Sequence, residues 1–213
     1  VDLGAETTPS FEVKRKEILA VVRAASGLWL EAMAASPSAT PGSAFRLNVT
    51  ALVRAGSGAT LARVSVPWGA GEGLPAGAGM KLNEPVQGST SVPVPADAEA
   101  TQPHWLRARP GRGLYAVPSP KDAIRPDGAA LRVSFDVVMG GETLSYDVPV
   151  LFRRTDPVKG EEIRPFLVEP PVTVALEEEV LVLPDDRPRA VKVTVRAAAA
   201  PVGRTGPPPL PPA

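Results

Sequence analysis

His104 is the only histidine among the 213 residues, and the chain has no cysteine. A lone histidine cannot complete a Ser-His-Asp arrangement without identifiable orienting partners. Nor can it supply the two or three nitrogen or sulfur ligands that a zinc site needs. His104 therefore reads as a structural or surface residue. Asp185-Asp186 resembles a catalytic carboxylate pair, but two aspartates flanked by Pro184 and Pro188 suit a polar turn between strands better. Trp68, Trp105 and Tyr115 could stack on the apolar faces of sugars. The competing reading is core and loop packing, because aromatic side chains are usually buried at least in part. Asn48-Val49-Thr50 matches a glycosylation sequon but falls in the middle of an apparent strand. Gly69, Gly71 and Gly73 precede no helix, which argues against a phosphate-cradling loop.

The elements that must position these residues are mostly strands. With 26 prolines and 19 glycines the chain is rich in turns. Its clearest feature is Leu131–Phe152. Leu131, Val133, Phe135 and Val137 occupy odd positions before Gly140-Gly141, and Leu144, Tyr146, Val148, Val150 and Phe152 occupy even positions after it. A two-residue Gly-Gly loop makes this a hairpin in which Val137 faces Leu144, Phe135 faces Tyr146 and Val133 faces Val148. A one-residue slip would break every apolar pair. Pro149 then faces Arg132, with its missing N–H directed away from the hairpin partner. The second side of that strand should therefore carry an incomplete ladder.

The remaining chain is read in order. Residues 1–10 form a lead-in. Residues 11–36 form a helix capped by Ser10, with Ile18, Val22, Ala25, Trp29 and Ala32 on its apolar stripe and Gly27 as a weak point. Ala44–Arg54 and Thr60–Val66 alternate as strands, and the short loop between them predicts a second hairpin. Met80–Pro95, interrupted by prolines, suits a sheet edge. Residues 155–171 read as a linker. Residues 172–200 hold strands at Val172–Leu176, Val180–Leu183 and Ala190–Val195, and residues 201–213 are a proline-rich tail. The expected fold is mainly β: an immunoglobulin-like antiparallel sandwich over residues 42–154 with one N-terminal helix, then the opening strands of a second, truncated sandwich, since some 100 residues are needed for a whole one.

Charge excludes some partners. Lys plus Arg and Asp plus Glu both number 23. A neutral chain without a basic patch is not built for nucleic acid. No apolar run reaches about 18 residues, so no membrane-spanning helix is expected. The chain opens on Val1 without a signal-peptide pattern, which leads to the expectation that an upstream segment has been removed or that this is a piece of a longer protein.

A string of landmarks adds a resemblance. Gly27–Ala32, Gln102–Leu106, Gly113–Tyr115, Val148–Phe152, Asp156–Glu161, Arg164-Pro165 and Pro170–Val174 follow one another in order. Together they resemble the region downstream of the catalytic domain in large bacterial PIG-L (LmbE-like) deacetylases, from about Lys14 to Arg196. The resemblance implies an accessory region of a zinc-dependent N-deacetylase acting on N-acetylglucosamine-type substrates, periplasmic or secreted, that braces its own upstream catalytic domain or aids the presentation of a glycan to it. Zinc would belong to that domain, with no cofactor in this segment. The family's His-Pro-Asp-Asp-Glu and His-x-x-His motifs are missing. Leu183–Arg187 departs from the first at its ligand histidine and its glutamate, so no catalytic or metal-binding residue carries over. An independent carbohydrate- or protein-binding module is the alternative reading, and a free-standing hydrolase a third. An accessory region should leave an apolar helix or sheet surface uncovered. A binding module should expose a cluster of Trp68, Trp105 or Tyr115. A hydrolase should gather acidic residues around His104.

Overall fold

The computed structural model describes residues 8–56, 58–69, 71–107, 109, 111–112, 114, 130–178, 180, 182 and 190–198. The order of elements is α1 (Thr8–Ala25), β1 (Trp29–Ala34), β2 (Ser38–Ala39), β3 (Ala44–Leu52), β4 (Thr60–Ser65), β5 (Ala78–Gly79) and β6 (Val86–Pro93). A 3-10 turn at His104–Leu106 follows, then β7 (Arg132–Met139), β8 (Glu142–Asp156), β9 (Gly160–Pro165), β10 (Leu167–Val168), β11 (Val172–Leu176) and β12 (Val193–Ala197). The fold is mainly β with one α-helix.

One sheet runs β5-β4-β7-β8-β1-β3-β6, with β9 also paired to β8. Its inward residues form a single cluster that draws on both ends of this order, including Phe45, Leu47, Leu61, Phe135 and Val150. A flat sheet cannot bury one face against itself, so the sheet curls around its own core. The long β8 belongs to both halves, pairing with β7 through its first part and with β1 and β9 through its last.

The β7–β8 hairpin has the register expected from alternation. Val133 faces Val148, Phe135 faces Tyr146, Val137 faces Leu144 and Met139 faces Glu142. Both turn residues, Gly140 and Gly141, have positive φ, of 58° and 86°, which suits the type I′ turn that matches strand twist. Arg132 faces Pro149, and β1 joins the other side of β8 only from Val150 to Phe152. The ladder on that side begins one residue after the proline, as a missing N–H requires.

The expected helix over 11–36 is corrected. α1 starts at Thr8, two residues ahead of Ser10, and ends at Ala25. Gly27, at φ 58°, terminates it. The Gly27 N–H bonds to the Ala24 carbonyl at 3.1 Å and the Leu28 N–H to the Arg23 carbonyl at 2.9 Å, which together make a Schellman cap. A side chain at Gly27 would also bring its Cβ to 2.8 Å from Arg54 Cβ. After this stop the spacing changes to two: Leu28, Leu30, Ala32 and Ala34 are buried, whereas Trp29, Glu31 and Met33 point outward.

β1 then occupies the flank of β3, and β6 occupies the other. The expected β3–β4 hairpin therefore does not form. β4 pairs instead with β7 and β5 in the other half of the sheet. β1 also lies parallel to β8, so the sheet is mixed rather than wholly antiparallel. β6, with Pro93 at its end, sits at the sheet edge as its prolines imply.

Residues 155–171 are not a linker. β9 extends the sheet by pairing with β8, and β10 pairs with β2. Phe166 and Val168 are buried in the same core. The Phe166 ring stacks on Phe45 with centroids 4.2 Å apart. The cored unit thus runs from about residue 28 to 168, beyond the expected 42–154 at both ends. β11 and β12 form a separate two-stranded ribbon in which every residue is exposed. The Leu181 and Leu183 positions of the expected middle strand lie outside the described residues.

Candidate functional site

Two of the three aromatic candidates lie among the described residues. Trp68 is half-buried and packs against the core. Trp105 is exposed in the 3-10 turn at His104–Leu106. Tyr115 lies outside the described residues, as do Asp185 and Asp186. Phe45 and Phe166 form an aromatic pair in ring contact inside the core. No group of three or more His, Asp or Glu among them could hold a metal ion.

The landmark Asp156–Glu161 is turn chemistry here. Asp156 accepts hydrogen bonds from the backbone N–H groups of Val158 and Lys159, each at 2.8 Å. These bonds favour the carboxylate and hold its pKa below the ordinary aspartate value, the Lys159 N–H contributing most. Gly160 then turns the chain into β9. Beside this turn Glu162 accepts from Arg154 at 2.7 Å and from Arg164 at 3.1 Å. The hydrogen bond from Arg154 is the largest cause of its lowered pKa. Arg153 pairs with both Glu31 and Glu161, tying β8 to β1 and β9. These ion pairs stitch neighbouring strands.

Where Pro149 prevents β8 from pairing, the edge of β1 needs another partner for its carbonyls. α1 supplies it. The Arg23 guanidinium donates to the Leu28 carbonyl at 3.3 Å and to the Leu30 carbonyl at 3.2 Å. The same charge acts on Tyr146, whose hydroxyl is buried without a hydrogen-bond partner among the described residues. Burial raises the Tyr146 pKa, and Arg23 opposes that rise. α1 is otherwise thinly attached. Leu19 packs on the core, while Phe11, Val13, Ile18 and Val21 are exposed.

The aromatic residue that the structure brings to the surface is Trp29, 49% exposed. It borders a groove of about 390 Å³ whose walls include Ala20, Ala24, Gly27, Leu28 and Arg54. Arg54 is exposed and makes no ion pair among the described residues. Across the same outer face, β3 presents Asn48 and Thr50 opposite Ser89 and Gln87 of β6. These four surround a second hollow of about 380 Å³. The Ser89 hydroxyl oxygen is buried without a partner among the described residues. Sequence reasoning placed Trp29 on the helix stripe and missed this face. The period-two alternation after Gly27 was the available signal.

Among the described residues no helix is long and apolar enough to cross a membrane. Comparison with protein-family models, with curated proteins and with solved structures returns no match.

Proposed function

We propose that this chain is a non-catalytic accessory region of a PIG-L-type zinc-dependent N-deacetylase, in which it braces the catalytic domain. The observation that supports the reading is uncovered apolar surface at both ends of a well-packed unit. On α1, Phe11, Ile18 and Val21 are more than half exposed. On the ribbon, Val172 faces Ala197, Val174 faces Val195 and Leu176 faces Val193. By strand alternation those six side chains share one face. A two-stranded ribbon is marginal in water by itself, so such a face calls for a covering surface. The ordered landmarks from Gly27 to Val174 resemble those that follow the catalytic domain of this enzyme class, which would then provide that surface. Zinc, the deacetylation chemistry and a periplasmic or secreted location would come with that catalytic domain.

The test is hydrogen exchange on this chain alone and on the complete product of its gene. Residues 172–176 and 193–197 should gain strong protection in the complete product, which should also bind zinc and release acetate from an N-acetylglucosamine oligomer. A complete product without a His-Pro-Asp-Asp-Glu-type motif, or a ribbon that exchanges equally fast in both, would overturn the reading. A carbohydrate-binding role has its own support in the exposure of Trp29.

A further inference from the structure

We propose that the outer face around Trp29 binds an oligosaccharide that carries a carboxylate. The inference goes beyond the bracing role and is tested apart from it, because its ring and its cation, Trp29 and Arg54, lie on β1 and just after β3 rather than among the apolar side chains of α1 or the ribbon, although the groove borders α1 at Ala20 and Ala24.

Three observations converge on this ligand. First, Trp29 is a large ring held at the surface by alternation, since its neighbours Leu28 and Leu30 are both in the core. An exposed indole offers the flat apolar platform on which a pyranose face can stack. The groove beside it has a floor of small residues, Ala20, Ala24 and Gly27. Gly27 cannot be larger without meeting Arg54.

Second, the groove has a cation to spare. Arg23 is already committed to the Leu28 and Leu30 carbonyls. Arg54 has no such engagement among the described residues, and its planar guanidinium matches a carboxylate with two parallel hydrogen bonds.

Third, the hollow farther along the face is lined by uncharged hydrogen-bonding side chains: Asn48, Thr50, Gln87 and Ser89. Amides and hydroxyls that both donate and accept suit a ligand dense in hydroxyls. The two hollows lie at the β1–β3 and β3–β6 seams, about one strand step apart across the sheet and four residues apart along β3, roughly 14 Å in all at about 4.8 Å per step and about 3.3 Å per residue. That span suits a short oligosaccharide rather than a single small ion. A proline-rich peptide would use the ring and the groove but would leave the amide row and Arg54 without a role.

The experiment titrates the whole chain with a short oligogalacturonate and with its fully methyl-esterified analogue, read by tryptophan fluorescence and by calorimetry. The acid should bind at least tenfold more tightly than the ester, with a preference that shrinks as salt rises. Arg54→Gln should cost about tenfold against the acid and nothing against the ester. Trp29→Ala should remove binding of both, whereas Trp29→Tyr should retain much of it and Trp105→Ala all of it. Arg54 is exposed, so its variant keeps the test valid even if Trp29→Ala fails to fold. The proposal is overturned by no binding at millimolar sugar, by equal affinity for acid and ester, by a Trp29→Ala variant that folds and binds as before, or by a proline-rich peptide that competes more tightly than the acid.

Discussion

Two regions of this molecule carry the same sequence pattern and have opposite environments. In β7 the alternating residues Val133, Phe135 and Val137 are fully buried. In β11 and β12 the alternating residues Val174, Leu176, Val193 and Val195 are all about half exposed or more. Both segments form antiparallel pairs with apolar side chains aligned on one face. The difference is that β7 lies in a sheet long enough to curl over its own inner face, whereas the ribbon has two strands and no further strand paired to it among the described residues. Alternation therefore specifies a strand and the face it wishes to bury, and says nothing about whether the chain at hand can bury it.

That contrast can be broken most directly in the core. Phe166→Ala or Phe135→Ala should lower unfolding free energy by about 3–5 kcal/mol, measured by urea denaturation, from lost burial and an unfilled cavity. Leu176→Ala in the ribbon should change it by less than about 0.5 kcal/mol, as for other exposed sites. A cost of several kcal/mol at Leu176 would mean that the ribbon is covered in solution, and the contrast would fail.

The junction between helix and sheet is the next most sensitive point. Gly27→Ala forces a side chain into positive φ and against Arg54, and should cost about 1–3 kcal/mol in thermal unfolding. A change below about 0.5 kcal/mol would show that the Schellman cap is not what ends α1. Arg23→Ala should cost about 1 kcal/mol by leaving the Leu28 and Leu30 carbonyls without their donor. It should also speed amide exchange throughout α1 and leave exchange in β7 unchanged. Equal acceleration in both would show that the helix is part of the core rather than an attachment to it.

The smallest effect concerns charge. The pKa of Glu162 is depressed in the folded state, first by the Arg154 hydrogen bond. The unfolded chain therefore binds its proton at higher pH than the folded chain does. The stabilisation is present above the ordinary carboxylate range and is lost as pH falls through the depressed folded value. Glu162→Gln should thus be slightly less stable than the parent at neutral pH, with the gap closing on acidification. A gap that persists in strong acid would assign the effect to packing of the side chain instead. The site is exposed, so added salt should shrink the difference as well.

Much of the fold was legible because it depends on neighbours in the chain. The Gly140-Gly141 turn and the flanking alternation set one hairpin and its register, and Pro149 set where pairing on the second side must stop. The prolines around Val86–Pro93 placed that strand at an edge. The helix boundary was misread, since the spacing of Ile18, Val22, Ala25 and Trp29 imitates a longer stripe and Gly27 read as a weak point rather than as the stop that it is. Where an aromatic side chain ends up was not legible. Trp68 packs half-buried against the core, and Trp29 emerged on the outer face.

By itself the sequence determined that this is a mainly β protein with one helix, which residues seek the interior and how one hairpin is paired. Those properties follow from local geometry, since a strand alternates its side chains and a proline lacks its N–H wherever it sits. Only the tertiary structure decided that β1 lies between β3 and β8 and parallel to the latter. Only it decided that Phe166 completes the core from a segment that reads as a linker, and that Trp29, Arg54 and the amide row share one surface. Which strands become neighbours depends on how the whole sheet closes around its core, and alternation names a face without naming the strand beside it.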